Sequence, residues 1–408
     1  MFVLFGVLLI ILQGRVKLLF WLGVLLLFCR RISFPFLGDI EPATLLLGFT
    51  ALLVAPAVAR YILSNYPIQL FVLGLGLAVA FFIHSPADEV WIWSFSVFSV
   101  FLLCALCNEF IRTEADMERL STCFIAISFI IAFTAVIAYA GFADGVILLS
   151  DQSPTNMDDG SVTYSRTYGI AYSNTVNGFT PIALIFLYTK KWPQTLKVLL
   201  FAIIAASVFI SLKRLAYISL LLSLLYIVFR EGKKPQWKIV LLFTALVACG
   251  IFFFGPTIIE RFQNTESALS GDASPDNNRT VRIEYAWRQY KETPVLGAGS
   301  GAVVYVHNGY LEILTNLGIA GLFILAPWVF KPLRTFWQRP DTRTKDWAAG
   351  CLIYLATLFL FEAVLNEQDL FWIFGLLYAG FECAQRVYRP APVEQTKLIW
   401  KKEGLALR

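Results

Sequence analysis

Apolar runs long enough to cross a bilayer recur through nearly the whole chain, divided by short loops. In lipid such runs must be helical, because their backbone N–H and C=O groups find no other partners. Composition agrees: 58% of the 408 residues are hydrophobic and 15% charged, where a soluble domain carries about 25% charge. The pattern predicts an all-α polytopic membrane protein of about twelve spans. Helices are expected near 42–59, 67–83, 89–108, 119–141, 170–189, 196–212, 214–229, 238–255, 309–330, 346–365 and 368–385. Residues 1–30 read as one or two further segments, divided by Arg15 and Lys17. The first apolar run lacks a charged leader and a cleavage site, so it reads as retained. The chain divides into N-terminal helices (1–165), central helices (166–255), a long loop (256–308), C-terminal helices (309–385) and a tail (386–408).

The net charge of +5 does not point to nucleic acid, because Lys and Arg cluster in short loops between apolar runs. The loops around Lys190, Arg230 and Lys331–Lys345, and the tail from Arg386, all fall on one side if the helices alternate. By the positive-inside rule that side is the cytoplasm. The segment 142–169, the turn 211–214 and the loop 256–308 then face outward. Lys213, Arg214, Arg261, Arg279, Arg282, Arg288 and Lys291 lie in these outer segments against the charge bias, and a fixed anion on that face would account for them. Within the long loop, 281–290 reads as a short amphipathic helix with Ile283, Ala286, Trp287 and Tyr290 on one side, suited to a membrane surface. The seven cysteines lie in or beside apolar runs, and the Cys104/Cys107 pair has no second pair in sequence, so they read as small buried hydrophobes.

The chain has two histidines. His84 reads as structural. His307 precedes Asn308, a good N-cap, and a helix from Gly309. The positive end of a helix dipole suits a neutral imidazole, which can accept a proton. The bland alternative is an interfacial histidine that merely hydrogen-bonds. Guanidinium groups pair with phosphate in a planar, bidentate way, so Arg214, Arg279 and Arg282 are candidates for holding a diphosphate. Snorkelling to headgroups or pairing with Glu260, Glu266 and Glu284 is the plainer alternative. The glycines at 297, 299 and 301 follow no strand, so they are not a dinucleotide fingerprint. They could let the loop re-enter the membrane or offer amides to an anion. Asp158 and Asp159 could suggest a metal, but no second acidic cluster completes a site, and a solvated loop fits them better. Glu362 and Glu367 stand near the outer end of the last hairpin. There is no P-loop and no nucleotide-sugar motif, so a transferase here would need a donor already activated and lipid-bound.

Three stretches resemble the O-antigen ligase and polymerase superfamily of bacterial envelopes. They are His307-Asn308-x-x-Leu311 followed by Gly318-x-x-Gly321; Arg279-x-x-Arg282 before Pro294-x-Leu296-Gly297-x-Gly299; and Ser211-x-x-Arg214. Arg166 to Gly169, with Asn174, is similar to a fourth family stretch. The resemblance covers roughly 166–330. It implies an inner-membrane glycosyltransferase with its site facing the periplasm beneath a partly helical loop. The donor it implies is an undecaprenyl diphosphate-linked glycan, and the acceptor is lipid A–core or a growing glycan. Neither metal nor other cofactor is implied. His307 takes the acceptor-activating role, and Arg214 with Arg279 or Arg282 takes the diphosphate. Asn308, Tyr310, Arg166 and Lys213 are expected to support them. The link from Gly301 to His307 is short compared with many ligases, which keeps a polymerase open. A lipid-linked glycan transporter is the rival class. It would favour ionisable residues at mid-membrane, whereas the charges here gather at the outer edge.

Overall fold

A computed structural model describes residues 15–28, 32–34, 38–40, 42–83, 88–139, 153–155, 164–166, 178–211, 214–230, 279–303, 306–338, 341–360 and 368–388. The chain is predominantly helical. In order the α-helices are α1 (Val16–Leu25), α2 (Pro42–Leu53), α3 (Ala55–Asn65), α4 (Pro67–Ile83), α5 (Asp88–Phe110), α6 (Glu114–Tyr139), α7 (Ala183–Thr189), α8 (Gln194–Ser211), α9 (Arg214–Phe229), α10 (Arg279–Glu292), α11 (Gly309–Leu317), α12 (Leu322–Gln338), α13 (Thr342–Tyr354) and α14 (Gln368–Val387). Two small antiparallel hairpins, β1 (Ile32–Phe34) with β2 (Gly38–Ile40) and β3 (Ser153–Thr155) with β4 (Tyr164–Arg166), accompany the helices without changing the expected all-α class.

Among the described residues four helical stretches are long and apolar enough to cross a membrane, or five if one bent pair is a single span. These four or five stretches agree in kind with the expected helical spans; the expected helix at 238–255 lies outside the described residues. Several boundaries agree closely. Helix α4 begins at Pro67, whose fixed φ suits a first helical position. Helix α6 begins five residues before the predicted start because Thr113 and Asp116 form a reciprocal capping box. The Asp116 amide donates to Thr113 Oγ1 (3.2 Å) and the Thr113 amide to Asp116 Oδ2 (3.3 Å).

Two predicted helices are broken. The run 42–59 bends by 93° at Val54, where Pro56 starts α3. The run 309–330 ends as α-helix at Leu317, passes through a 3-10 turn (Gly318–Gly321) and resumes as α12. The last expected hairpin also changes pitch, for α13 continues into a π-turn at Leu355–Phe359.

Helix α5 lies at the centre. Its Trp93, Val97, Val100, Phe101 and Leu103 are fully buried, as are Phe371, Phe374, Leu377 and Phe381 of α14, which packs along it. Cys104, Cys107, Cys351 and Cys383 are buried free thiols in this core, as expected of small hydrophobes.

The predicted basic loops converge on one end. Arg230 after α9 makes a two-bond pair with Asp346 of α13, both bonds at 2.7 Å, and the Tyr226 hydroxyl donates to the same carboxylate. Lys190 after α7 pairs with Glu118 at 2.8 Å, Lys17 of α1 with Asp116 at 2.7 Å, and Arg343 of α13 with Glu114 at 2.7 Å. Arg386 of α14 bonds to Asn108 and Ile111 at the end of α5. These contacts tie α7 and α1 to the start of α6, α9 and the start of α6 to the start of α13, and the end of α14 to the end of α5.

Candidate functional site

His307 belongs to the opposite end. The helical path from Gly309 to Gln338 ends beside the basic cluster, so it begins away from it. Helix α9 likewise ends at the Arg230–Asp346 pair, so Arg214, its first residue, stands at the end that carries His307. The Ser211-to-Arg214 turn falls between α8 and α9 as the sequence predicts, with Lys213 outside the described residues.

The entry to α11 is built locally. Asn308 is extended (φ −154°, ψ 102°), and its side-chain oxygen accepts the Leu311 amide at 2.9 Å. This is the N-cap read from the sequence. The Glu312 amide donates to the Asn308 carbonyl at 2.9 Å. His307, half-buried, adopts φ +57°. A non-glycine residue there costs on the order of 1–3 kcal/mol and persists where its surroundings over-determine it. Buried Val306 on one side and the capped helix on the other supply that constraint.

Below the entry, the π-turn forms a floor. The Tyr310 hydroxyl donates to the Leu355 carbonyl at 3.1 Å, and its ring meets Phe359 edge-on with centroids 4.8 Å apart. A β-carbon at Gly309 would come within 2.9 Å of the Phe359 ring. These contacts fix the first turn of α11 on the π-turn that follows α13. A π-turn displaces backbone carbonyls from their usual partners, and such turns recur beside functional sites.

The glycine-rich loop forms a wall. The amides of Gly297, Ala298, Gly299 and Ser300 donate to the carbonyls of Thr293, Thr315, Asn316 and Gly76 at 2.9, 2.9, 3.0 and 3.0 Å. These four donors are thus used within the fold, which overturns the reading of the loop as an anion cradle. The loop instead inserts between α4 and α11. Gly297 and Gly318, both at positive φ, cross so closely that a β-carbon on either would collide with the other strand's backbone. Asn316, fully buried, closes the wall: its Nδ2 donates to Val303 O at 2.7 Å, and its Oδ1 accepts the Val303 amide at 3.0 Å.

Helix α10 lies along α11. Ala286 is fully buried against Val303, Val306 and Leu311, and the Thr315 hydroxyl reaches the Ala286 carbonyl at 3.3 Å. Further along, the Ile319 amide donates to Pro294 O at 2.7 Å. Both helices therefore run in the same direction, and the first turn of α10 points toward His307. Ala286 is docked on α11, while Ile283 and Trp287 on the predicted apolar side stay exposed. Arg282, one turn before Ala286, is exposed on this stretch. Arg279 is the first residue of α10. Arg166 ends β4, in the hairpin with Ser153–Thr155. Asp158, Asp159, His84, Glu362 and Glu367 lie outside the described residues.

Sequence reading passed over one residue at this end. Glu312, a carboxylate in the first turn of α11, is 0% exposed. Its signal was present, an acid within an apolar run, and buried charge in a membrane helix is expensive enough to call for a reason. A cleft of about 430 Å³ between α9, α12 and α13 lies at the basic end, lined by Leu222, Phe229 and Lys345 among others. It is away from His307.

Residues 199–326 match the family model described as O-antigen ligase. No curated protein matches the chain. The matched stretch contains Arg214, Arg279, Arg282 and His307, together with the glycine wall and α11. Over residues 199–326 the chain is similar to the O-antigen ligase family.

Proposed function

We propose that this protein is a glycosyltransferase that moves a glycan from undecaprenyl diphosphate to an acceptor hydroxyl at the outer face of the bacterial inner membrane. The observation that carries the reading is the entry to α11. A histidine held at positive φ before a capped helix has an arginine-bearing helix running parallel beside it. Arg214 with Arg279 or Arg282 grips the diphosphate, and guanidinium charge stabilises it as it leaves. His307 accepts the proton of the acceptor hydroxyl. That oxygen attacks the anomeric carbon from the face opposite the diphosphate, the bond to the diphosphate oxygen breaks, and the configuration inverts.

Lipid A–core is the acceptor we favour, which makes the protein an O-antigen ligase. A polymerase would use the end of another lipid-linked chain, and a protein-directed relative would use a protein hydroxyl. The test is transfer by purified, reconstituted protein given one undecaprenyl diphosphate-linked repeat, with and without lipid A–core, with products sized by gel. Product that requires lipid A–core supports the ligase; longer lipid-linked chains without it support the polymerase. His307→Ala is expected to abolish transfer while the protein still inserts. Full activity in that variant removes His307 from the mechanism, and no product with either acceptor favours a protein acceptor or the transporter reading.

A further inference from the structure

The cap geometry of α11 singles out two positions. In a capped helix, the residue before the cap and the fourth helical residue commonly pack against each other, usually as an apolar staple. With Asn308 as the cap, those positions are His307 and Glu312. Here both positions carry ionisable groups: a half-buried imidazole and a carboxylate with no exposed surface. The backbone fixes the position of Glu312, whose amide is bonded to the Asn308 carbonyl at 2.9 Å. The next turn is fixed as well, with Asn316 Nδ2 donating to the Glu312 carbonyl at 2.8 Å.

The surroundings explain why a carboxylate is tolerated. The positive end of the α11 dipole favours an anion in the first turn. Helix α10 brings Arg282 toward this end. Helix α4 contributes no charged residue, nor do the described residues of 293–306 or the π-turn.

We propose that Glu312 is a positioning residue for His307, orienting the imidazole and balancing the positive charge that forms when the ring accepts the acceptor's proton. No bond to Glu312 forms or breaks, and the proton rests on the ring until solvent takes it. The inference rests on the transferase reading, but its first test does not. His307 and His84 are the two histidines in the chain, so the carbethoxylation rate of each ring by diethyl pyrocarbonate can be followed by peptide mass spectrometry. In Glu312→Gln, the rate at His307 is expected to rise at least threefold, with His84 unchanged. In Glu312→Asp, the rate should lie between that of Gln and wild type.

In the transfer assay, Glu312→Gln is expected to lower kcat about tenfold or more, with donor KM within threefold, and Glu312→Asp to recover part of that loss. Equal His307 rates in wild type and Glu312→Gln overturn the pairing whether or not transfer is seen. If Glu312→Gln does not fold, a wild-type rate in Glu312→Asp overturns it instead. A changed rate without turnover in wild type leaves the pairing standing and counts against the transferase reading.

Discussion

The two ends of the bundle are fastened by different chemistry. At the basic end the ties are ionic: Arg230 to Asp346, Lys190 to Glu118, Lys17 to Asp116 and Arg343 to Glu114. At the His307 end the wall is closed by neutral groups, namely glycine-to-glycine backbone crossing, loop amides on carbonyls and the Asn316 carboxamide. A pair already neutralised in the fold has little left to offer a charged ligand. A wall tied by neutral bonds holds its shape without ion pairs within itself. The comparison teaches that one membrane domain can be fastened by ion pairs at one end and by neutral hydrogen bonds at the other.

Four substitutions would break or sharpen that contrast. The largest effect is expected from Gly297→Val, which combines a left-handed φ with collision against the Asn316 backbone. A loss of at least about 3 kcal/mol is expected, read as a lowered unfolding temperature of the reconstituted protein. An unchanged Tm would mean that the two backbones do not cross as tightly as described. Comparable in size is Asp346→Ala. It strands Arg230, 16% exposed beside a carboxylate at 4%, and removing one member of such a buried pair costs about 3–5 kcal/mol. Loss of transfer without loss of stability would instead tie the basic end to activity.

Asn316→Ala leaves the buried amide and carbonyl of Val303 without their side-chain partner and should cost about 2–3 kcal/mol. Hydrogen exchange would locate the effect, with faster exchange expected around Val303 and no change near Asp346. The smallest effect belongs to Arg343→Gln, because Arg343 and Glu114 are 56% and 66% exposed and such pairs contribute about 0–1 kcal/mol. A large destabilisation there would show that even the exposed ties of the basic end matter.

The outline of this arrangement was legible in the sequence, and its joints were not. Apolar length and Pro67 marked α4, and Asn308 marked the start of α11, because those signals are local. The break at Val54 also had a local signal, Pro56, which the surrounding apolar run obscured. Gly318 was visible as a glycine. That it ends a helix depends on the loop at 295–297 crossing it, which is a tertiary fact. The same holds for the glycines of that loop, whose amides proved to be engaged inside the fold. Pairs such as Lys17–Asp116 and Arg230–Asp346 join residues about a hundred positions apart, and residue identity carries no address for its partner. Glu312 was overlooked because one acid in an apolar run disturbs periodicity very little, although its burial is the costly feature.

The length of the His-bearing path carries a consequence of its own. Gly309 to Gln338 covers 30 residues, which at the rise of an α-helix is about 45 Å. The hydrocarbon layer is about 30 Å thick, and the bilayer with its headgroups about 40–45 Å. Such a path reaches from one headgroup layer to the other, not merely across the oil. Placed across a bilayer with its far end at the basic loops, the path would bring its first residue level with the phosphates of the opposite leaflet. On the proposed function, an imidazole at that depth would meet water and lipid-bound phosphate in the same plane, so a lipid-linked donor would not need to rise out of the membrane for its diphosphate to reach His307.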